Sequence, residues 1–378
     1  MQQVKVVFVV SILYIFLYAM YLNLSFAFGK IRDPRRDNMY LCILVVAMAV
    51  FGSSINPPSH GWDLYRHYQY LEALRTANYS FTDYMFNFDN ILGGGTRSGL
   101  YGFKLYFFLM SRFKSNRLLP FVTLLIVYGI WCYITQDWLQ KKNRTELLAP
   151  SFLFCLATMP YVYVNTGIRN GLAASIVALA LYREFEKNGS PIVTAMLLVF
   201  SCTIHNAVII VIPCWILAHF TVKMRTIFIL AIGLALLEPV AQLIYAQSIP
   251  GISQAANLYL RYIKSDAYFF SYGYLIVDII FILLIIYVFY QLNKKDNSKS
   301  LYRFILIYAL VVMAQIGHYD LVLRPMYVLA MLSGTIVSSL YDCFRTKQRK
   351  MLVSTAILCA WTTAVFLHGP AYLLMSYL

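Results

Sequence analysis

Apolar runs follow one another along most of the chain, separated by short polar stretches. Runs that approach the roughly 20 residues needed to cross a bilayer as a helix fall at 6–28, 39–55, 118–139, 147–165, 168–185, 190–220, 226–246, 273–291, 302–317, 325–341 and 351–372. This pattern predicts an all-α polytopic membrane protein with about 11–12 crossings. The first run is too long for a signal-peptide core and lacks a small-residue cleavage site, so it is expected to stay in the chain. The longest polar stretch, 56–97, is too short for a folded soluble domain, and 1–378 reads as a single transmembrane domain. Two segments depart from the simple pattern. Run 190–220 would be roughly 46 Å long as one helix, against a hydrocarbon core near 30 Å. It is expected to break near His205-Asn206, the alternative being a steeply tilted helix kinked at Pro213. Segment 98–113 is short and carries Lys104, which suits a re-entrant or interfacial helix.

Composition sharpens the class. The chain has 378 residues, 60% of them hydrophobic and only 12% charged, with a mean hydropathy of +0.65. An ordinary soluble domain is about 45–50% apolar and about 25% charged, so a soluble enzyme, a disordered chain and a disulfide-stapled module are excluded. The seven cysteines lie in or beside apolar runs without a C-x-x-C pair, and imply neither a disulfide nor a metal site.

The net charge of +15 comes from 31 Lys and Arg against 16 Asp and Glu. In a soluble protein it would suggest nucleic acid; here it fits basic residues gathered in short cytoplasmic loops, with no nucleic acid implied. Most of the basic residues cluster at 30–36, 141–144, 183–187, 223–225, 294–303 and 345–350. With all six clusters inside, both termini face outward. The 56–97 stretch then becomes a periplasmic loop with an interfacial helix, and 247–272 becomes a second outer loop. Segment 98–113 cannot then be an ordinary crossing, because 30–36 and 141–144 share a side.

That orientation singles out the basic residues left outside, among them Arg66, Arg97, Lys104, Arg169 and Arg324. Arg169 in N165-T-G-I-R-N170 and Arg324 in H318-Y-D-L-V-L-R-P325 each lie between two apolar runs. A charge there is costly without a partner, and a guanidinium fork matches the oxygens of a phosphate. Arg169 and Arg324 are therefore expected to open spans at the outer side, where two arginines can share one diphosphate. The plainer reading is snorkelling to lipid headgroups.

The first polar loop reads N56-P-P-S-H60-G-W62-D63-L-Y65-R66-H67-Y68-Q-Y70. As a helix it puts Asp63, Arg66, His67 and Tyr70 on one face. That face suits a glycan, with a carboxylate and an imidazole for hydroxyls and aromatic rings for stacking. An amphipathic helix carrying an interfacial aromatic belt is the plainer account. His205 coincides with the expected break, where polar residues line cavities; as a lone histidine in an apolar run it also reads as packing. His318 and Asp320 accompany Arg324, whereas His219 and His368 read as structural. G93-G-G95 lacks the Lys-Ser/Thr of a phosphate loop and reads as a flexible connection.

Taken in order, W62-D63-L-Y65-R66-H67-Y68, I168-R169-N170-G-L-A173, I204-H205-N206-A207 and R324-P-M-Y327 resemble the EpsG-like branch of the Wzy polysaccharide polymerases. The resemblance covers nearly the whole chain through short, degenerate motifs. The chain departs at W62-D63-L-Y65, where the family often has Gly-x-Asp-Tyr, and at R169-N170, where it often has Arg-Gln. It also lacks the acidic-Pro pair that often precedes the segment starting here at Ser98.

The resemblance implies a GT-C-like glycosyltransferase of the bacterial inner membrane with its active site toward the periplasm. Undecaprenyl-pyrophosphate-linked oligosaccharides would be both donor and acceptor. A flippase and a chain-length regulator of the same pathway, and membrane lipids, would be its partners, and no cofactor or metal is required. His205, Asp63, Arg169 and Arg324 are the expected catalytic residues. His60, Trp62, Arg66, Arg97, Asn165, Asn170, His318, Asp320 and Tyr327 are the expected substrate contacts. A lipid-linked oligosaccharide flippase should instead show internal repeats and deep charges. A membrane O-acyltransferase should turn its key residues to the cytoplasm.

Overall fold

The computed structural model describes residues 34–54, 63–77, 79–91, 100–220, 272–295, 300–315 and 319–343, with single positions between and beyond them. The described residues are helical without a strand. In chain order the helices begin with α1 (Pro34–Ser54), α2 (Asp63–Ala77), α3 (Phe81–Ile91), α4 (Tyr101–Ser111) and α5 (Leu118–Lys141). Next come α6 (Leu148–Thr158), α7 (Tyr161–Thr166), α8 (Ile168–Lys187), α9 (Pro191–Ile204) and α10 (Val211–Ala218). The last four are α11 (Tyr272–Lys295), α12 (Ser300–Ala314), α13 (Tyr319–Met331) and α14 (Ser333–Cys343).

They form two compact units, one from α1–α5 with α7–α9 and the other from α6 with α10–α14. In the first, α5 is the central post: α1 and α8 pack along it and α9 packs on α8. In the second, α11 and α12 form a hairpin joined by α10 on α12, and the Phe154 and Phe281 rings meet at 4.6 Å between α6 and α11.

Among the described residues, only α5 is by itself long and apolar enough to cross a membrane; 321–331 with 333–343 passes jointly as a pair bent by 77°. Several shorter helices are apolar on the outside as well as the inside. Met39, Ile43, Val46 and Val50 form an exposed stripe along α1, opposite the buried Leu41, Leu44, Val45 and Met48. Ile192, Met196 and Val199 do the same on α9. A helix apolar all round belongs in a core or in lipid, and these stripes face outward. This is a membrane protein.

The apolar run at 190–220 does break. Helix α9 ends at Ile204, His205 is extended (φ −148°, ψ 118°), and a 3-10 turn over Asn206–Ile210 leads into α10. Run 147–165 breaks as well: α6 stops at Thr158 and Pro160, whose ring cannot continue a helix, precedes α7. Two further expectations are corrected. Arg324 does not open a helix; α13 starts at Tyr319, and the proline after Arg324 is accommodated inside it. The 325–341 run is two helices meeting at Leu332.

The first unit has a polar clasp at one end. Asp137, near the end of α5, accepts a 2.6 Å hydrogen bond from Lys187 Nζ at the end of α8 and another from the Tyr182 hydroxyl. Lys141 Nζ lies 3.6 Å from the same carboxylate and donates to the Glu186 carbonyl at 3.0 Å. Gln136 donates to Asn38 near the start of α1. The 141–144 and 183–187 clusters, and the helix that follows 30–36, therefore share one end of this unit. The turn after α8 uses Asn188 in the left-handed region (φ 55°), and α9 leaves from that same end.

Candidate functional site

Because α8 starts and α9 ends away from the clasp, Arg169 and His205 belong to the opposite end of the unit. The short helix α4 organises this end. It lacks a side-chain cap, and one first-turn donor, the Gly102 N–H, is satisfied by Thr203 Oγ1 at 3.2 Å. A Cβ at Gly102 would stand 2.5 Å from that oxygen and 3.0 Å from Ile204 Cγ1, so glycine is what lets α4 meet the last turn of α9. Lys104, the next but one, is buried and donates to the Met85 carbonyl of α3 at 3.4 Å.

Phe103, between them, is the meeting point. The Arg169 guanidinium carbon lies 5.4 Å from its ring centroid. The His67 ring lies 5.7 Å away and the Phe107 ring 4.5 Å away, and His67 meets Phe107 edge-on at 5.1 Å. Side chains from α2, α4 and α8 thus converge on one aromatic cluster.

Arg169 is in the first turn of α8, just after Gly167 separates α7 from α8. Four residues earlier, Asn165 is 0% exposed, and neither its Oδ1 nor its Nδ2 has a hydrogen-bond partner among the described residues. Asn170 Oδ1 is likewise unsatisfied. The neighbours of Asn165 are tight: a Cβ on Gly52 of α1 would sit 2.6 Å from the Tyr161 hydroxyl and 3.1 Å from Asn165 Oδ1. The Tyr161 hydroxyl is committed to the Met48 carbonyl. Such unsatisfied buried amides are uncommon in native proteins.

His205 is 4% exposed, which corrects the expectation that it opens to an outer cavity. Its Nδ1 lies 3.2 Å from Asn206 Oδ1 and 3.3 Å from the Ala207 backbone nitrogen. The tautomer decides between these: a protonated Nδ1 donates to Asn206, and a bare one accepts from Ala207.

The polar face expected on α2 is divided. Asp63 and Arg66 are exposed and lie 3.8 Å apart as an ion pair, whereas His67 is 1% exposed and turned in with Leu64, Leu71 and Leu74. Beside it, burial pushes the Tyr68 hydroxyl up to about 12 against the opposing pull of the Arg117 cation, so it stays protonated. Arg75 anchors α2 to the end of α4 by donating to the Ser111 carbonyl at 3.2 Å and to Asn116 Oδ1 at 2.5 Å.

Arg324 and Tyr327 belong to the other unit, on α13, with Tyr327 fully buried. Asp320 lies on the first turn of α13. His60, Trp62, Arg97 and His318, and nearly all of 247–272, lie outside the described residues. Phe103 and Lys104 were not among the expected contacts, and His67 only as part of the α2 face. The signals present were a lysine in an apolar segment and a histidine one turn after Asp63; the packing of α2 on α4 across some thirty residues left no local trace.

The fold is that of a helical membrane protein whose first unit gathers an arginine, two unsatisfied amides and two histidines at the end away from its lysine clasp. Residues 38–378 match the EpsG family. The chain belongs to that family, which gives it a broad role in polysaccharide polymerisation. No curated protein and no solved structure matches it.

Proposed function

We propose that this chain is a multi-pass, GT-C-like glycosyltransferase of the bacterial inner membrane. It polymerises undecaprenyl-pyrophosphate-linked oligosaccharide repeats at the periplasmic face. The observation that carries the reading is the segregation within the first unit: Arg169, Asn165, Asn170 and His205 at one end, Lys141 and Lys187 on Asp137 at the other. Basic clusters mark the cytoplasmic side, so the opposite end faces outward. The exposed apolar stripes of α1 and α9 support several crossings, since each would face acyl chains.

In the reaction the acceptor hydroxyl attacks the anomeric carbon of the donor glycan. Its proton passes to a base, the bond from that carbon to the pyrophosphate oxygen breaks, and undecaprenyl pyrophosphate leaves. Arg169 stabilises the charge that develops on the leaving group, a fixed donor being most effective where charge grows. His205 is the base in the tautomer whose Nδ1–H donates to Asn206, which leaves the lone pair on Nε2. Asp63, tied to Arg66, is the second candidate for that role. Asn165 and Asn170 offer their unsatisfied amide atoms to the glycan.

The test is glycan analysis of a deletion strain complemented with full-length variants. Loss of the polymerase leaves single repeats on the lipid carrier, whereas loss of a flippase leaves no exported repeat. Arg169→Lys keeps the charge but not the planar fork, and should slow polymerisation by about 10²–10³-fold with normal accumulation. Near-normal long chains from that variant would sink the pyrophosphate role. Normal polymer from His205→Ala would move the base to Asp63 or His60.

A further inference from the structure

Helix α4 is apolar on its exposed side as well as its buried one. Tyr101, Leu105, Leu109 and Phe113 recur every fourth residue and so lie along one stripe. Tyr101, Leu109 and Phe113 in that stripe are exposed, opposite the buried Phe103, Phe107 and Met110. An exposed apolar stripe on a helix at a bilayer faces acyl chains.

The stripe ends in charge. The turn R112-F-K-S-N-R117 joins α4 to α5. With 24 residues, α5 is about 36 Å long, more than a hydrocarbon core near 30 Å. Its first residues therefore reach the headgroup layer, and the turn before them lies in that layer. From Ser98 to Gln136 the chain carries Lys104, Arg112, Lys114 and Arg117 without one Asp or Glu. Arg112 Nη2 donates to the Tyr79 carbonyl at 3.2 Å, and its guanidinium carbon lies 4.0 Å from the Phe108 centroid, so it is held without being neutralised. Lys114 is exposed, and among the described residues neither it nor Arg112 forms an ion pair. The turn itself is ordered from α2. Arg75 donates to the carbonyl of Ser111 on one side and to Asn116 Oδ1 on the other, and Asn116 Nδ2 donates to Glu72 at 2.9 Å.

We infer that this turn is a binding site for an anionic phospholipid headgroup. Arg112 and Lys114 take the phosphate, and Phe113 inserts beside them at the acyl boundary, where aromatic rings are favoured. A zwitterionic headgroup brings its own ammonium group against these cations and binds less well. The site seats the end of α4 away from Gly102 on the bilayer, and it does not depend on the reaction proposed above.

The experiment measures which lipid sits at the turn. The full chain, cysteine-free except for Ser115→Cys carrying a bimane, is placed in nanodiscs of phosphatidylglycerol and phosphatidylcholine. One lipid or the other is brominated on its acyl chains, and quenching gives their relative association with the turn. Each cation near an anionic surface is worth about fivefold in association. The parent should prefer phosphatidylglycerol by about 10- to 30-fold, and Lys114→Gln should lower that preference about fivefold. Arg112→Gln with Lys114→Gln should bring it close to parity, whereas Lys114→Arg keeps the charge and should stay within about twofold of the parent. Phe113→Ser should weaken quenching by both lipids alike, as the turn lifts from the acyl chains; unchanged quenching there overturns the insertion. If the double variant does not accumulate, Lys114→Gln alone decides. A parental preference in Lys114→Gln overturns the inference. So does an equal loss from Lys142→Gln at the far end of α5, which would mark a general surface potential in place of a site. Displacement of phosphatidylglycerol by a polyprenyl pyrophosphate at one molecule per disc would assign the turn to the carrier lipid and overturn it too.

Discussion

A buried amide that uses neither its donor nor its acceptor costs about 1–3 kcal/mol relative to an apolar group of the same shape. Asn165 is in that position, beside Tyr161 and Gly52. If its amide serves a glycan hydroxyl, the cost is carried for function, and removing it separates stability from activity. Asn165→Leu should leave the detergent-solubilised protein as stable as the parent or up to about 1–3 kcal/mol more stable, while polymer in the complemented strain drops sharply. Thermal unfolding and glycan gels on the same preparations decide the matter. A lower unfolding temperature would mean the amide is satisfied within the folded protein, and its assignment to substrate would go. The same residue was conspicuous in the sequence only as a neighbour of Arg169; that its amide is buried follows from α1 closing over α7.

At the scale of elements, the decisive contact is α4 against the last turn of α9. Thr203 Oγ1 accepts from the Gly102 N–H, and the approach leaves no room for a Cβ. Gly102→Ala should therefore displace α4 together with Phe103. Overpacking of this kind costs about 1–3 kcal/mol, and polymer yield should fall with it. Adding Thr203→Ala removes the nearest clashing atom and should recover part of the loss, because the next neighbour, Ile204 Cγ1 at 3.0 Å, has to give by only a few tenths of an ångström. A Gly102→Ala variant with parental stability and polymer would show that α4 adjusts freely and does not fix the site. The break that ends α9 was legible as a length argument, since 190–220 is too long for one crossing. The break before Pro160 was not read, because the run around it is uniformly apolar and of ordinary span length.

For the molecule as a whole, the end-to-end segregation makes a topological prediction. In a cysteine-free background, single cysteines at exposed Arg66 on α2 and at Lys142 after α5 report the two ends. The Arg66 position should label with an impermeant thiol reagent in intact spheroplasts, and the Lys142 position only after permeabilisation. The reverse pattern would put the Arg169 end in the cytoplasm, where an outward-facing polymerase site cannot be.

The alternation of long apolar runs with basic clusters determined by itself that this chain is helical and membrane-embedded, because neither strands nor a water-facing surface tolerate such a pattern. The motifs around Arg169 and His205 likewise pointed to the EpsG family without any contact being known. Only the tertiary structure decided what surrounds those residues. Asp63 and His67, one turn apart, receive opposite environments because α2 lies on α4 with one flank covered. Arg324, expected at a helix start, lies within α13. Phe103 acquires its neighbours from α2 and α8, which are far from it in sequence. Local pattern fixes which residues are apolar and where helices must stop; which faces meet depends on packing between distant segments, and spacing along the chain does not encode that directly.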